Sequence, residues 1–285
     1  MKKLGKSNIS ATDIANQFWC EKQMELNYIY GKKYTEEMRK GKQIHESLQS
    51  EVFVPLMVEP VTYADYLYKK GYESYMAIKT LEQKGICREL HIYGSLDGYK
   101  VEGQIDELRN EAGKTKLIEL KTVQASANTK ISQDPARIKP NVVQIMLYRK
   151  LLDDVINGRY TLYNFTKSYA AAKMQLSEPF RRGLHAIGIE EKYANLEEIF
   201  RLMFDQMSRI PQLSDKLEIH YVDRFSGKLV SSIEINYSES EINKDLQFAL
   251  KYWNGEREAL PVSENEKWKC NLCKFYGREC KVWWK

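Results

Sequence analysis

The spacing of apolar residues switches along this chain: a helical period holds up to about residue 88, alternation replaces it over residues 89–123, the helical period returns, and alternation recurs over residues 217–237 before a last helix. Ser10-Ala-Thr12-Asp13 predicts the start of a first helix, capped by its Ser and Asp. That helix carries Cys20 within Gln17-Phe-Trp-Cys20-Glu21-Lys-Gln23. A second helix is expected from Thr35 to Gln49 and a third from about Thr62 to Gln83. Alternation predicts a strand over Glu89–Ser95, a two-residue hairpin turn at Asp97-Gly98, a second strand over Tyr99–Arg109, a turn at Asn110–Gly113 and a third strand over Lys114–Val123. Pro140 suits the first turn of a helix that stops near Asn157-Gly158. Residues 178–209 read as helical, Leu217–Asp223 and Lys228–Tyr237 as a closing hairpin around Phe225-Ser-Gly227, and Glu239–Trp253 as a last helix before a cysteine-rich tail. No repeat or low-complexity linker divides the chain. The expectation is therefore one domain over residues 1–285: a helical part (1–88), a meander and helix (89–158), a helical insertion (159–215), and closing strands, helix and tail (216–285).

At 285 residues, with 43% apolar and 29% charged residues, the chain has the composition of a globular protein with a sizeable core. Lys and Arg outnumber Asp and Glu by 44 to 39, a bias that permits a nucleic-acid partner without demonstrating one. No run approaches the roughly 18 apolar residues of a membrane span, and Met1-Lys-Lys-Leu-Gly-Lys-Ser7 lacks the apolar run of a secretory signal. An intracellular place is expected, in cytoplasm or nucleoid, with nucleus or mitochondrion left open. There, five cysteines read as ligand thiols and not as disulfides. Cys270-Asn-Leu-Cys273, six further residues and Cys280 form a tail to which folding would have to bring Cys20, clasping the two ends. Spacing alone leaves zinc and an iron–sulfur cluster both open. Cys87 is left over, as a small buried hydrophobe. The chain has no phosphate-binding Gly-x-x-x-x-Gly-Lys-[Ser/Thr] loop, hence no ATP-driven motor, and His45-Glu46 is no zincin start because position 49 is Gln.

Chemistry concentrates in the first alternating region. Glu119 and Lys121 share one face of the third strand, and the meander would set Asp106 of Gly103-Gln-Ile-Asp106 beside Glu119. Two carboxylates at that separation suit Mg²⁺ or Mn²⁺, and a neighbouring ammonium can hold an attacking water. Alone, Glu-x-Lys is more often an ion pair on a solvated face. The surroundings add weight: Gly41-Lys-Gln-Ile-His45 offers an imidazole upstream, and Gln144 and Tyr148 stand four residues apart on one helix face downstream.

The order Gly-x-x-x-His, Gly-x-x-Asp, Glu-x-Lys, Gln-x-x-x-Tyr resembles the PD-(D/E)XK nucleases of the RecB type. With Cys20 and the Cys270/Cys273/Cys280 tail it resembles their iron–sulfur branch, which includes exonuclease V and the CRISPR-adaptation nucleases. Ile9–Gln23 and Lys267-Trp-Lys-Cys270 look closest to exonuclease V. The resemblance implies an α/β fold, a restriction-endonuclease-like mixed sheet flanked by helices. It implies a metal-dependent exonuclease that hydrolyses phosphodiesters of single-stranded DNA in repair or replication. On this reading Asp106, Glu119, Lys121, Gln144 and Tyr148 are catalytic, and His45, Asp106 and Glu119 bind Mg²⁺ or Mn²⁺. Cys20, Cys270, Cys273 and Cys280 hold a structural [4Fe–4S] cluster in preference to zinc. Glu89 matches a frequently acidic position whose role stays open, as a second-metal ligand or a structural partner. Ile105 stands where the family name has Pro, at a variable position. Alternatives are a prespacer-trimming nuclease working with an integrase, and a non-catalytic single-strand-binding module, against which intact Asp106, Glu119 and Lys121 argue. Within the insertion, Lys167, Tyr169, Lys173, Arg181 and Arg182, with Arg159, Tyr160, Tyr163 and Phe165 nearby, are expected either to line a single-strand channel or to form a solvated surface over half-buried tyrosines. Expected partners are single-stranded DNA and a single-strand-binding protein, with no membrane and no ATP, the chain acting as a monomer.

Overall fold

Three capped helices lead into the sheet. The computed structural model describes residues 3–32, 34–125 and 131–283. Helix α1 (Ala11–Tyr30) opens on a reciprocal cap: Asp13 N donates to Ser10 Oγ and Ser10 N to the Asp13 carboxylate. Thr35 caps α2 (Glu36–Ser50) and Thr62 caps α3 (Tyr63–Lys84). Asp65, in the first turn of α3, receives hydrogen bonds from Val61 N (3.0 Å), Thr62 N (2.8 Å), Ser177 N (2.9 Å) and Ser177 Oγ (2.7 Å). Burial raises its pKa, but these donors more than offset burial and hold it below the ordinary value. Asp65→Ala should cost about 2–3 kcal/mol in urea unfolding at pH 7. Because the folded pKa is depressed, that contribution is complete above the unfolded value of about 4. It fades as pH falls through the folded pKa, so the wild-type and variant curves should converge in acid.

Six strands form one mixed sheet: β1 (Asn8–Ser10), β2 (Ile86–Leu96), β3 (Tyr99–Glu111), β4 (Lys114–Val123), β5 (Lys216–Asp223) and β6 (Leu229–Asn236). The β2–β3 turn is Asp97-Gly98, both at positive φ, as this dipeptide predicts. The β3–β4 turn is tighter than expected. Ala112 and Gly113 make it at φ 49° and 79°, and Asn110 and Glu111 remain in the ladder opposite Thr115 and Lys114. β2 lies antiparallel along one edge of β3. The other edge is shared: β1 takes residues 100–102 in parallel, and β4 takes 107–111 antiparallel. On that edge residues 103–106, the Gly-x-x-Asp motif, are left unpaired, while 103–105 keep their pairing with β2. β5 runs parallel to β4, and β6 antiparallel to β5.

The crossover from β4 to β5 contains α4 (Pro135–Ile156), α5 (Leu162–Tyr169), α6 (Glu178–Ala186) and α7 (Leu196–Met207), and α8 (Glu239–Trp253) follows β6. Asp134 caps α4 and Pro135 opens it, so Pro140 sits inside the helix and not in its first turn. Helices α5 to α7 join the main core. Phe165 stacks on Phe200 with centroids 4.0 Å apart and meets Tyr93 at 5.0 Å. Tyr160 and Tyr169 are buried with them, whereas Tyr163 is 71% exposed. Of the two arrangements the sequence left open for these tyrosines, Tyr160 and Tyr169 take the buried one, because their neighbours in the fold are aromatic. Among the described residues, no helix is long and apolar enough to cross a membrane.

Candidate active site

The stretch of β3 left unpaired on one edge is where the polar groups gather. The β3–β4 ladder ends at Glu107 opposite Ile118, so Asp106 and Glu119 are the next pair, just past the last rung. There the Leu120 N–H donates to Asp106 Oδ2 at 2.7 Å instead of to a backbone carbonyl. Glu119 is 1% exposed; its Oε1 accepts from Lys121 Nζ at 2.6 Å, and its Oε2 is buried with no hydrogen-bond partner. Lys121 Nζ also donates to Gln144 Oε1 (3.2 Å), and Gln144 Nε2 to the Tyr148 hydroxyl (3.0 Å). A Cβ at Gly103 would collide with the Tyr148 ring, so the glycine of the motif lets α4 close over the gap.

Helix α2 supplies His45 from another direction. Its Ile44 and Leu48 pack on Ile118 and Leu120, which alternate with Glu119 and Lys121 along β4, and on Val222 of the neighbouring strand β5. His45 Nδ1 lies 2.8 Å from Glu89 Oε1 and 3.6 Å from Asp106 Oδ1. Glu89 adopts φ +57° within β2, and the ladder skips it, passing from Arg88↔Glu107 to Leu90↔Ile105. A left-handed glutamate inside a strand is strained backbone, and here it aims a carboxylate at the imidazole. One ligand atom each from His45, Glu89 and Asp106 fall within 4.8 Å of one another.

Burial and like charge dominate the electrostatics. Burial and then the Glu119 carboxylate push the Asp106 pKa well above its ordinary value. Burial works against the His45 cation, but the Glu89 hydrogen bond and the Asp106 charge outweigh it and push the pKa up to about 9. His45 lies beside two carboxylates that repel one another, and their charge favours its cation. Burial also opposes the Lys121 cation, while Glu119 and Asp106 more than restore it. Burial and the same two carboxylates raise the Tyr148 pKa, so its hydroxyl keeps its proton. His45, Glu89 and Asp106 offer the kind of donors a hard cation such as Mg²⁺ or Mn²⁺ takes, whereas Glu119, whose buried Oε2 finds no donor among the described residues, is not one of these three converging groups.

The family profile described as exonuclease V, a 5′ deoxyribonuclease, matches residues 1–134 and 184–285. The chain belongs to the exonuclease V family. Exonuclease V of Danio rerio is 28% identical over 287 residues, covering 96% of this chain and 70% of that protein. A mitochondrial exonuclease V of Candida dubliniensis is 32% identical over 66 residues, 23% of this chain and 10% of that one. A crystal structure from Eubacterium rectale, provisionally named an exonuclease, aligns at TM-score 0.37 and 11% identity over 92% of this chain and 87% of its own. Gln144 and Tyr148 lie between the two stretches that match the exonuclease V profile.

The four tail and N-terminal cysteines of this chain line one small cavity of about 20 Å³, walled by Trp19, Leu26, Pro261, Val262 and Trp283. Helix α1 breaks its helical conformation at Cys20 (φ −168°, ψ 110°), which turns that thiol towards the tail. Burial raises the thiol pKa of both Cys20 and Cys270, with neighbouring cysteines adding to the effect. Cys87 is fully buried in the core. Beside the cavity, Glu21 is bound by both terminal nitrogens of Arg257 and by Leu260 N (2.9 Å), a pair that joins the ends without any metal.

Of the insertion residues, Lys167, Lys173 and Arg182 are exposed. Tyr169 is 4% exposed and stacks on Phe165, so it has no free face for a base. Arg181 is paired with Glu191 and Glu178, and Arg159 with Asp153 and Asp154. Sequence reasoning left the place of Glu89 open and passed over Arg88, Glu21 and the parallel strand β1. Of these only Glu89 carried a signal, as an acidic residue just ahead of the meander.

Proposed function

We propose that this chain is a metal-dependent exonuclease that degrades single-stranded DNA in repair or replication, with a [4Fe–4S] cluster fastening its ends. The observation that carries the catalytic part is the buried, partnerless oxygen of Glu119 between Asp106 and Lys121. His45, Asp106 and Glu119 would hold Mg²⁺ or Mn²⁺, and Glu89 both orients His45 and extends the ligand set. The cation supplies Lewis-acid activation of the phosphate and of the attacking water. Lys121 holds that water in line and balances charge growing on the phosphate oxygens. Gln144 fixes Lys121 from the far side and, with the Tyr148 hydroxyl, steadies the backbone of the strand. Thr12, Lys42 and Gln49, which border the same groove, are in place to meet it.

Four thiols around a single apolar-walled cavity are the donor chemistry of a cluster, and the family resemblance favours iron over zinc. On this reading residues 1–285 act as a single nuclease domain and monomer, with single-stranded DNA as substrate and a single-strand-binding protein as the protein partner. The test is digestion of 5′- and 3′-labelled single strands with Mg²⁺ by protein purified without air, alongside iron analysis. Mg²⁺-dependent shortening from an end, by a brown protein holding about four irons per chain, is expected. A folded protein inert on both substrates would overturn the catalytic reading, and one zinc per chain with no iron would overturn the cluster.

A further inference from the structure

Helix α2 carries a residue of the site yet buries none of its own residues completely. Its apolar footing is Ile44 and Leu48 alone among the described residues of the second, small core cluster. Something polar must therefore set its position along the sheet. Arg88 joins the C-terminal end of α2 to the sheet through three hydrogen bonds, one to β3 and two to the end of the helix. Its Nε donates to Glu107 Oε2 at 2.8 Å, and its Nη1 to the Leu48 carbonyl and to Glu51 Oε2 at 3.0 Å. Leu48 lies one turn beyond His45, and its carbonyl is among the last of the helix, which lack a partner of their own. Glu107 is 2% exposed and is also bound by Arg109, so its charge is balanced without Arg88. The reach of Arg88 to the end of α2 is thus not needed to neutralise Glu107. In sequence and in the ladder, Arg88 and Glu107 are the immediate neighbours of Glu89 and Asp106.

We propose that Arg88 is a positioning residue: it fixes the last turn of α2 against β2 and β3, and through that turn sets His45 at the metal site. The proposal rests on the metal-site reading above. Loss of a group that orients a ligand typically weakens metal binding by about 10–100-fold. Titration calorimetry with Mn²⁺ on wild type, Arg88→Met, His45→Gln and the double variant separates the possibilities. Arg88→Met should bind Mn²⁺ about 10-fold more weakly, with its melting temperature recording that Glu107 keeps Arg109. In the His45→Gln background the same change should have almost no further effect, since it acts through His45. In cleavage assays Arg88→Met should need more Mg²⁺ for half-maximal rate and recover most of its turnover at saturating Mg²⁺. Arg88→Lys, which keeps a cation but cannot reach three partners, should show a smaller loss with the same dependence on His45, and serves if Arg88→Met does not fold. A folded Arg88→Met or Arg88→Lys that binds Mn²⁺ like wild type overturns the proposal, as does an equal loss with and without His45. If His45→Gln alone binds Mn²⁺ like wild type, the metal-site reading itself falls, a result separate from the other two.

Discussion

Glu119→Gln should slow phosphodiester cleavage by about 10³-fold, the loss of several kcal/mol of transition-state stabilisation. The substitution keeps shape and volume at a site that is 1% exposed, so the sheet has no reason to rearrange. What disappears is the charge on a buried oxygen that no protein donor satisfies, together with half of the pair that holds Lys121. Asp106→Asn should have a similar effect. An asparagine oxygen can still accept from Leu120 N, so the end of the β3–β4 ladder is preserved while the shared carboxylate is lost. Single-strand affinity should change little in either variant, because affinity comes mainly from cations on phosphates. Single-turnover cleavage at saturating Mg²⁺ and fluorescence anisotropy in EDTA measure the two quantities separately. Near wild-type turnover in either variant would remove these carboxylates from the catalytic centre.

The second large effect is structural. Glu21→Gln should cost about 3–5 kcal/mol, the usual penalty for breaking a buried ion pair from one side. Glu21 is 2% exposed and receives both terminal nitrogens of Arg257, the Leu260 N–H and the Gln17 amide. These bonds tie the start of the chain to Arg257 and Leu260 near its other end, one position away from Cys20. Iron content should fall with stability, since the cavity is built from both ends. Thermal unfolding and iron analysis of the same preparation test this. A melting temperature within a degree or two of wild type would mean that Arg257 is ordinary surface charge.

Much of the site was legible because its parts are local. Capping at Ser10, Thr35 and Thr62, the Asp97-Gly98 turn and the alternation through Glu119 and Lys121 are decided by residues within a few positions of one another. The hairpin arithmetic that sets Asp106 against Glu119 holds only for the two-residue turn at Ala112-Gly113. The β3–β4 turn was read two residues too long, because nothing in the sequence marks Ala112 as left-handed. Two readings of the 159–182 segment stayed open in the sequence for a related reason. A mix of tyrosines and cations has no period that tells a core face from a binding face, and only packing against Tyr93 and Phe200 turned Phe165 and Tyr169 inward.

By itself, the sequence determined which side chains carry chemistry and the order in which strands and helices present them. Only the tertiary structure decided how they meet. It left residues 103–106 unpaired on one edge of β3 by letting β1 and β4 share that edge. It bent Glu89 to φ +57° to reach His45, broke α1 at Cys20 to aim a thiol at the tail, and tied α2 down through Arg88. The physical reason is range. Periodicity and capping are properties of a few consecutive residues, whereas a strand edge, a buried ion pair or a ligand set is fixed by chain segments that only the folded core brings together.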